Sequence, residues 1–206
     1  MKKNKWHWAL IAVTLVTLLV SSAGCIKIVL PDEAAGQSNQ TAQPSGISPG
    51  QTTQPTGFLT HTDNTNGFSI SYPQSWQQMP PEAMAQDAVL GLGTPGATRA
   101  VFYVFKMQPT PGETLQTAYT DMKQVNEAEP GYQFISKDNI IVSGIPAFKY
   151  VFKVNLSGTP ATVVYIYLLH GGVEWFIQPS CAPPESYTQF QPTFDAIIGS
   201  FKILNR

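Results

Sequence analysis

The chain has 206 residues, of which 43% are hydrophobic and only 12% charged. This is enough apolar material for one cored domain with additional segments, at about half the usual share of charge. The formal net charge is −1, and it becomes −4 once Lys2, Lys3 and Lys5 are removed with a leader; that balance excludes the concentrated basic face of a nucleic-acid binder.

Residues 1–24 read as a lipoprotein signal peptide. Lys2, Lys3 and Lys5 form a positive head, Ala9 to Val20 is an uncharged apolar run, and small residues lead to Cys25. This is a secretory layout, and the apolar run is shorter than the roughly 20 residues that span a bilayer. Ala23 and Gly24 before Cys25 resemble the lipobox of bacterial lipoproteins, with Ser22 standing where a leucine is usual. That resemblance implies lipidation of Cys25, and two or three acyl chains give stable anchoring where one gives only marginal binding. The alternative is an uncleaved signal anchor in which Cys25 is incidental. Both readings place the domain outside the cytoplasmic membrane, with membrane lipid as the first partner through Cys25.

Residues 25–57 form a tether. From Pro31 to Gly57 the chain is dense in Gln, Ser, Thr, Gly and Pro and almost lacks large apolar residues. Such a composition cannot offset the entropy of ordering, so disorder is expected. As a flexible coil of about 27 residues it spans roughly 25–30 Å, which lets the domain stand off from the bilayer. Asn39-Gln40-Thr41 is a glycosylation sequon, and Asn155-Leu156-Ser157 is a second; both matter only in a host that glycosylates.

Residues 58–206 are the folded domain. Phe68, Ile70 and Tyr72 alternate with Ser69 and Ser71 as a half-buried strand that Pro73 ends. Trp76 follows that strand end and is expected to be partly exposed. Gln86 to Leu92 is a second strand, and Arg99 to Met107 is an unbroken apolar run of the kind found in a central strand. Thr114 to Glu129 is a helix with Leu115, Ala118, Tyr119, Met122 and Val125 on one stripe; Thr110 or Thr114 caps it and Pro130-Gly131 stops it. Four strands follow, over 132–142, 147–155, 161–170 and 173–180. Short Gly/Pro joints between them predict an antiparallel meander. A second helix carries Tyr187, Phe190, Phe194, Ile197, Ile198 and Phe201, with Pro192 expected to kink or begin it. The whole is α+β, an antiparallel sheet with helices packed on it.

Chemical motifs are sparse. "GLGTPG" (Gly91 to Gly96) matches a dinucleotide fingerprint by letter, but a strand rather than a helix follows it, so it reads as a hairpin loop. Ser180 lies in no nucleophile elbow. Cys181 has no second cysteine once Cys25 is lipidated, and reads as a half-buried free thiol. His61 and Asp63 lie within "HTDNTNG", which lacks the later glutamate of a calcium loop and reads as a turn. His170, at a strand end beside Gly171-Gly172, and Glu174 four residues on are candidates for a ligand or partner surface, together with Trp76. No catalytic set, metal centre or cofactor is expected.

The stretch Phe68 to Pro73 followed by Trp76, and the ending "FDAIIGSFKIL" with Ser200-Phe201 at its joint, resemble the PsbP family over about Phe58 to Arg206. The resemblance implies an α/β/α sandwich with a central antiparallel sheet, a fold shared with a Ran-binding nuclear import factor. Its named members are extrinsic photosystem II subunits that help retain calcium and chloride, its cyanobacterial members are lipoproteins, and relatives occur in organisms without photosynthesis. The matching motifs are structural, so no binding residue is carried over. The function implied is a tethered, non-catalytic domain that docks on a membrane or envelope protein, with a photosystem II role only in a photosynthetic host. The alternative is a small-molecule or ion-binding lipoprotein using the aromatic face near His170, and a hydrolase stands third.

Overall fold

The computed structural model describes residues 57–95, 99–156 and 158–204. The signal segment, Cys25, the tether up to residue 56 and the Asn39 triplet lie outside them, as do Gly96 and Ser157. Among the described residues ten strands and two α-helices run in the order β1 (Phe58–Asp63), β2 (Phe68–Pro73), β3 (Gln77–Gln78), β4 (Ala88–Gly93), β5 (Arg99–Met107), α1 (Leu115–Asn126), β6 (Gln133–Val142), β7 (Ile145–Leu156), β8 (Thr159–His170), β9 (Val173–Ala182), α2 (Tyr187–Ser200) and β10 (Lys202–Ile203). Seven strands form the main sheet, ordered β3-β4-β5-β9-β8-β7-β6, and β1-β2-β10 form a small one. Every pairing is antiparallel.

The meander from β6 to β9 follows from its turns. Val142 pairs with Ile145 and His170 with Val173, leaving two-residue loops. Ser143 and Gly144 at φ 54° and 77°, and Gly171 and Gly172 at φ 59° and 72°, supply the left-handed pair that matches strand twist. Pro146 and Pro160 sit inside β7 and β8 near their starts, so those strands begin two residues earlier than the sequence reading placed them. "HTDNTNG" also divides differently, because His61–Asp63 completes β1 and only the residues after it turn. Asp63 holds that turn, accepting from the backbone and side-chain nitrogens of Asn66 at 2.8 and 2.7 Å.

Alternation along the main sheet divides the core in two. One face gathers Leu92, Phe102, Val104, Ile166, Leu168, Trp175 and Ile177 against β2 and α2. The other gathers Phe105, Phe148, Tyr150, Phe152, Tyr165, Tyr167 and Phe176 against Ala118 and Met122 of α1. This gives the layered α/β/α arrangement, with the small sheet lying beside α2. Trp76 is buried at 6% exposure, edge-on to Phe190 and Phe194 of α2 at centroid distances of 6.4 and 6.0 Å. The expected partial exposure of Trp76 is therefore corrected. A Trp next to a strand end is peripheral by local signals alone, but α2, which starts 111 positions downstream, covers it. Cys181 is likewise fully rather than half buried, at 2%, and burial raises its thiol pKa.

Helix α1 starts as its sequence dictates. The Thr114 hydroxyl accepts from the Thr117 amide at 3.1 Å, and Thr117 Oγ1 accepts from the Thr114 amide at 2.9 Å, a reciprocal capping box. Thr114→Ala is expected to lower stability by about 1 kcal/mol, read as a shift in the urea midpoint with unchanged slope. Helix α2 continues through Pro192, which lies on its exposed side within the first two turns. It is pinned at its far end, where Ser200 Oγ accepts from the Ser71 amide at 2.8 Å.

Candidate functional site

Two places carry features that packing alone does not explain. The first is at the β8–β9 hairpin. Leu169 pairs with Glu174 and Tyr167 with Phe176, so Tyr167 and Glu174 are diagonal neighbours on the α1 face. The Tyr167 hydroxyl faces the Glu174 carboxyl, and the ring stacks on Phe148 at 5.4 Å. Glu113, from the Pro-rich loop before α1, brings a second carboxyl nearby. Burial pushes Glu174 up to about 7, the Tyr167 hydroxyl opposes the rise, and the charge on Glu113 adds to it. Glu113 is raised by burial and by Asp121, against hydrogen bonds from Thr110 and Thr117. Its Oε1 is buried without a partner among the described residues. Glu174, raised to about 7 chiefly by burial, is therefore partly protonated at neutral pH, where an ordinary carboxyl is ionised.

The candidates from sequence are only partly brought together. His170 and Glu174 lie four apart across the turn, but His170 pairs with Val173 while Glu174 pairs with Leu169. Strand alternation therefore sends them to opposite faces, with His170 exposed and Glu174 buried at 4%. His170 lines an open cleft of about 340 Å³ whose other wall includes Glu113. Trp76 belongs to the α2 side, in the other half of the core. Glu113 went unnoticed in the sequence, since a lone glutamate after Pro-Gly carries no pattern. Among the described residues no three metal-capable side chains converge. His61 instead receives the Gln78 amide at 3.3 Å and rests on Phe68.

The second place is the long edge of the main sheet. At one end of the strand order stands β3, two residues long, and at the other stands β6, ten residues long. Exposed on β6 are Phe134 at 47%, Ile135 at 43% and Ile141 at 68%. Phe134 lies against Tyr150, and Lys137, between the apolar residues, sits 5.5 Å above the Tyr119 ring. A bulge between Phe134 and Ser136 interrupts the ladder, and Lys137 and Asp138 add charge beside it. Those devices discourage indiscriminate edge pairing while leaving the apolar side chains in water. Among the described residues no strand pairs with the outer edge of β6, which carries these large apolar side chains.

A family model described as PsbP-like protein matches residues 11–203. Comparison with curated proteins gives no match. Among solved structures the chain is similar to cyanobacterial PsbP (CyanoP) from Synechocystis sp. PCC 6803, at 14% identity and a TM-score of 0.55, over 76% of this chain and 98% of that one. It is similar to LpqN of Mycobacterium tuberculosis, described as involved in cell envelope biogenesis, at 14% identity and a TM-score of 0.51, over 67% and 83% of the two chains. It is also similar to the Ran-binding protein Mog1p of Saccharomyces cerevisiae, at 7% identity and a TM-score of 0.52, over 72% and 96%. At such identities the likeness is one of fold.

Proposed function

Because the chain belongs to the PsbP-like protein family, we propose that it is a non-catalytic, membrane-tethered lipoprotein domain that docks on a membrane or envelope protein outside the cytoplasm. The observation that carries this reading is the β6 edge with its exposed Phe134, Ile135 and Ile141. An open strand offers a partner main-chain hydrogen bonds for affinity and flanking side chains for selectivity. The lipid on Cys25 and the Gln/Ser/Thr/Pro/Gly tether raise the local concentration of the domain near membrane-bound partners. One neighbour is itself named a Ran-binding protein and another is described as involved in envelope biogenesis; both descriptions are compatible with a protein-docking role. A photosystem II role follows only in a photosynthetic host.

Two measurements test the reading. Radioactive palmitate is expected to label the wild-type chain and not Cys25→Ser, which leaves the membrane fraction; label retained by Cys25→Ser removes the lipid anchor. Ile141→Asp is expected to keep the melting temperature, since exposed substitutions stay within about 0.5 kcal/mol. It is expected to reduce recovery of the crosslinked partner at least tenfold. Unchanged recovery moves the contact away from β6.

A further inference from the structure

The α1 face of the main sheet is not filled evenly. Under α1 it is packed with Phe148, Tyr150, Phe152, Tyr165, Tyr167 and Phe176. Toward the other end of β5, β8 and β9 the same face carries Ala161, Ser180 and Ala182. A cavity of about 210 Å³ remains there, on the order of seven times a water's share of the liquid. Its roof is the segment after β3, with Met79 and Ala83 over Val101 and Tyr103. That roof sits low because β4 carries glycines beneath it. A Cβ on Gly91 would come within 3.0 Å of Met84 Cγ, and one on Gly93 within 2.8 Å of Met79 Cε. The "GLGTPG" glycines thus seat two methionines, whose flexible thioethers accommodate irregular apolar shapes.

Polar side chains on the cavity wall are few: Arg99, Tyr103, Thr159, Ser180 and Cys181. Tyr103 and Ser180 are buried at 6% and 3% exposure. Neither hydroxyl hydrogen-bonds another described residue, and both side chains line the cavity. Arg99 stands at the mouth, exposed, where the cavity meets an outer groove with Pro160, Pro183 and Glu185. Arg99 has no ion pair among the described residues, Glu185 included. An apolar chamber with a few hydroxyls on its wall and an exposed guanidinium, unpaired among the described residues, at the entrance is the pattern of an amphiphile site.

We infer that this cavity binds a single-chain amphiphile with an anionic head, such as a medium-chain carboxylate, its chain under Met79 and its carboxylate at Arg99. The inference is independent of docking through β6, none of whose residues lines the cavity. The test is photolabelling of the full chain in phospholipid nanodiscs with a diazirine analogue of octanoate, and mapping of the adducts by mass spectrometry. Adducts are expected on peptides containing Met79 to Ala83 and Leu156 to Ala161. Octanoate should displace the probe, and octyltrimethylammonium should need at least tenfold more. Arg99→Gln, an exposed change that spares the fold, is expected to cut labelling tenfold, and Ala161→Leu to abolish it by filling the chamber. The site is overturned by adducts confined to other segments or scattered over the surface, or by full labelling in Ala161→Leu with an unchanged melting curve. Equal competition by the cation, or full labelling in Arg99→Gln, overturns the anionic head.

Discussion

Glu174→Gln is expected to raise the stability of the domain by about 3 kcal/mol at pH 8 and to leave it nearly unchanged at pH 4. Glu174 is almost wholly buried, and burial lifts its carboxyl from the ordinary 4.5 to about 7. Between those values the native state keeps a proton that the unfolded chain has released. The native state therefore binds more protons there, and stability falls as pH rises. It is fully present below about 4.5, is lost on the way to about 7, and is flat above. A rise of this size corresponds to about 3 kcal/mol. The amide of glutamine is neutral throughout, so the variant escapes the loss. For a domain of this size the melting temperature at pH 8 rises by roughly 6–10 °C. Melting curves of both proteins from pH 4 to 8 check this; a constant difference across that range would show that Glu174 is not the titrating group. Glu113→Gln acts in the same direction, because Glu113 is raised too and its charge adds to the rise at Glu174.

Trp76→Ala carries the largest expected loss, about 3–5 kcal/mol, with a melting temperature lower by roughly 10 °C or more. Its ring fills the space between β2 and α2, edge-on to Phe190 and Phe194. Removing it leaves a cavity that two long elements on opposite sides cannot easily close. Trp76→Phe keeps much of that packing and is expected to cost well under half as much. Were Trp76 a surface contact for a partner, Trp76→Ala would leave the melting curve alone and change only recovery of the partner. Chemical denaturation of the three proteins separates the two roles.

The elements that sequence made legible are those with strong local signals. β2 announces itself by alternation, β5 by its aromatic and β-branched run, α1 by its stripe and cap, and the meander by glycines at two-residue turns. What stayed hidden depends on partners distant in sequence. β3 is two residues long and exists only because Gln77 and Gln78 meet Gly93 and Leu92. The burial of Trp76 depends on a helix that arrives over a hundred residues later. His170 and Glu174 looked like neighbours because four residues separate them, but a two-residue turn and strand alternation place them on opposite faces. Glu113 joins Glu174 only through the way the loop before α1 folds over the hairpin. The glycines of "GLGTPG" looked like a loop, yet Gly91 and Gly93 lie within β4 and are needed for the methionines that lie across them.

Docking through β6 is tested most directly by placing a photo-crosslinking amino acid at Ile141, and separately at Gln189 on α2, in cells that carry the native membrane. Both positions are exposed, and they lie on different layers of the fold. A discrete crosslinked species from Ile141, lost when Cys25→Ser frees the chain from the membrane and missing from Gln189, is the predicted result. The same species from both positions, or a species from Gln189 alone, would contradict docking through the edge strand.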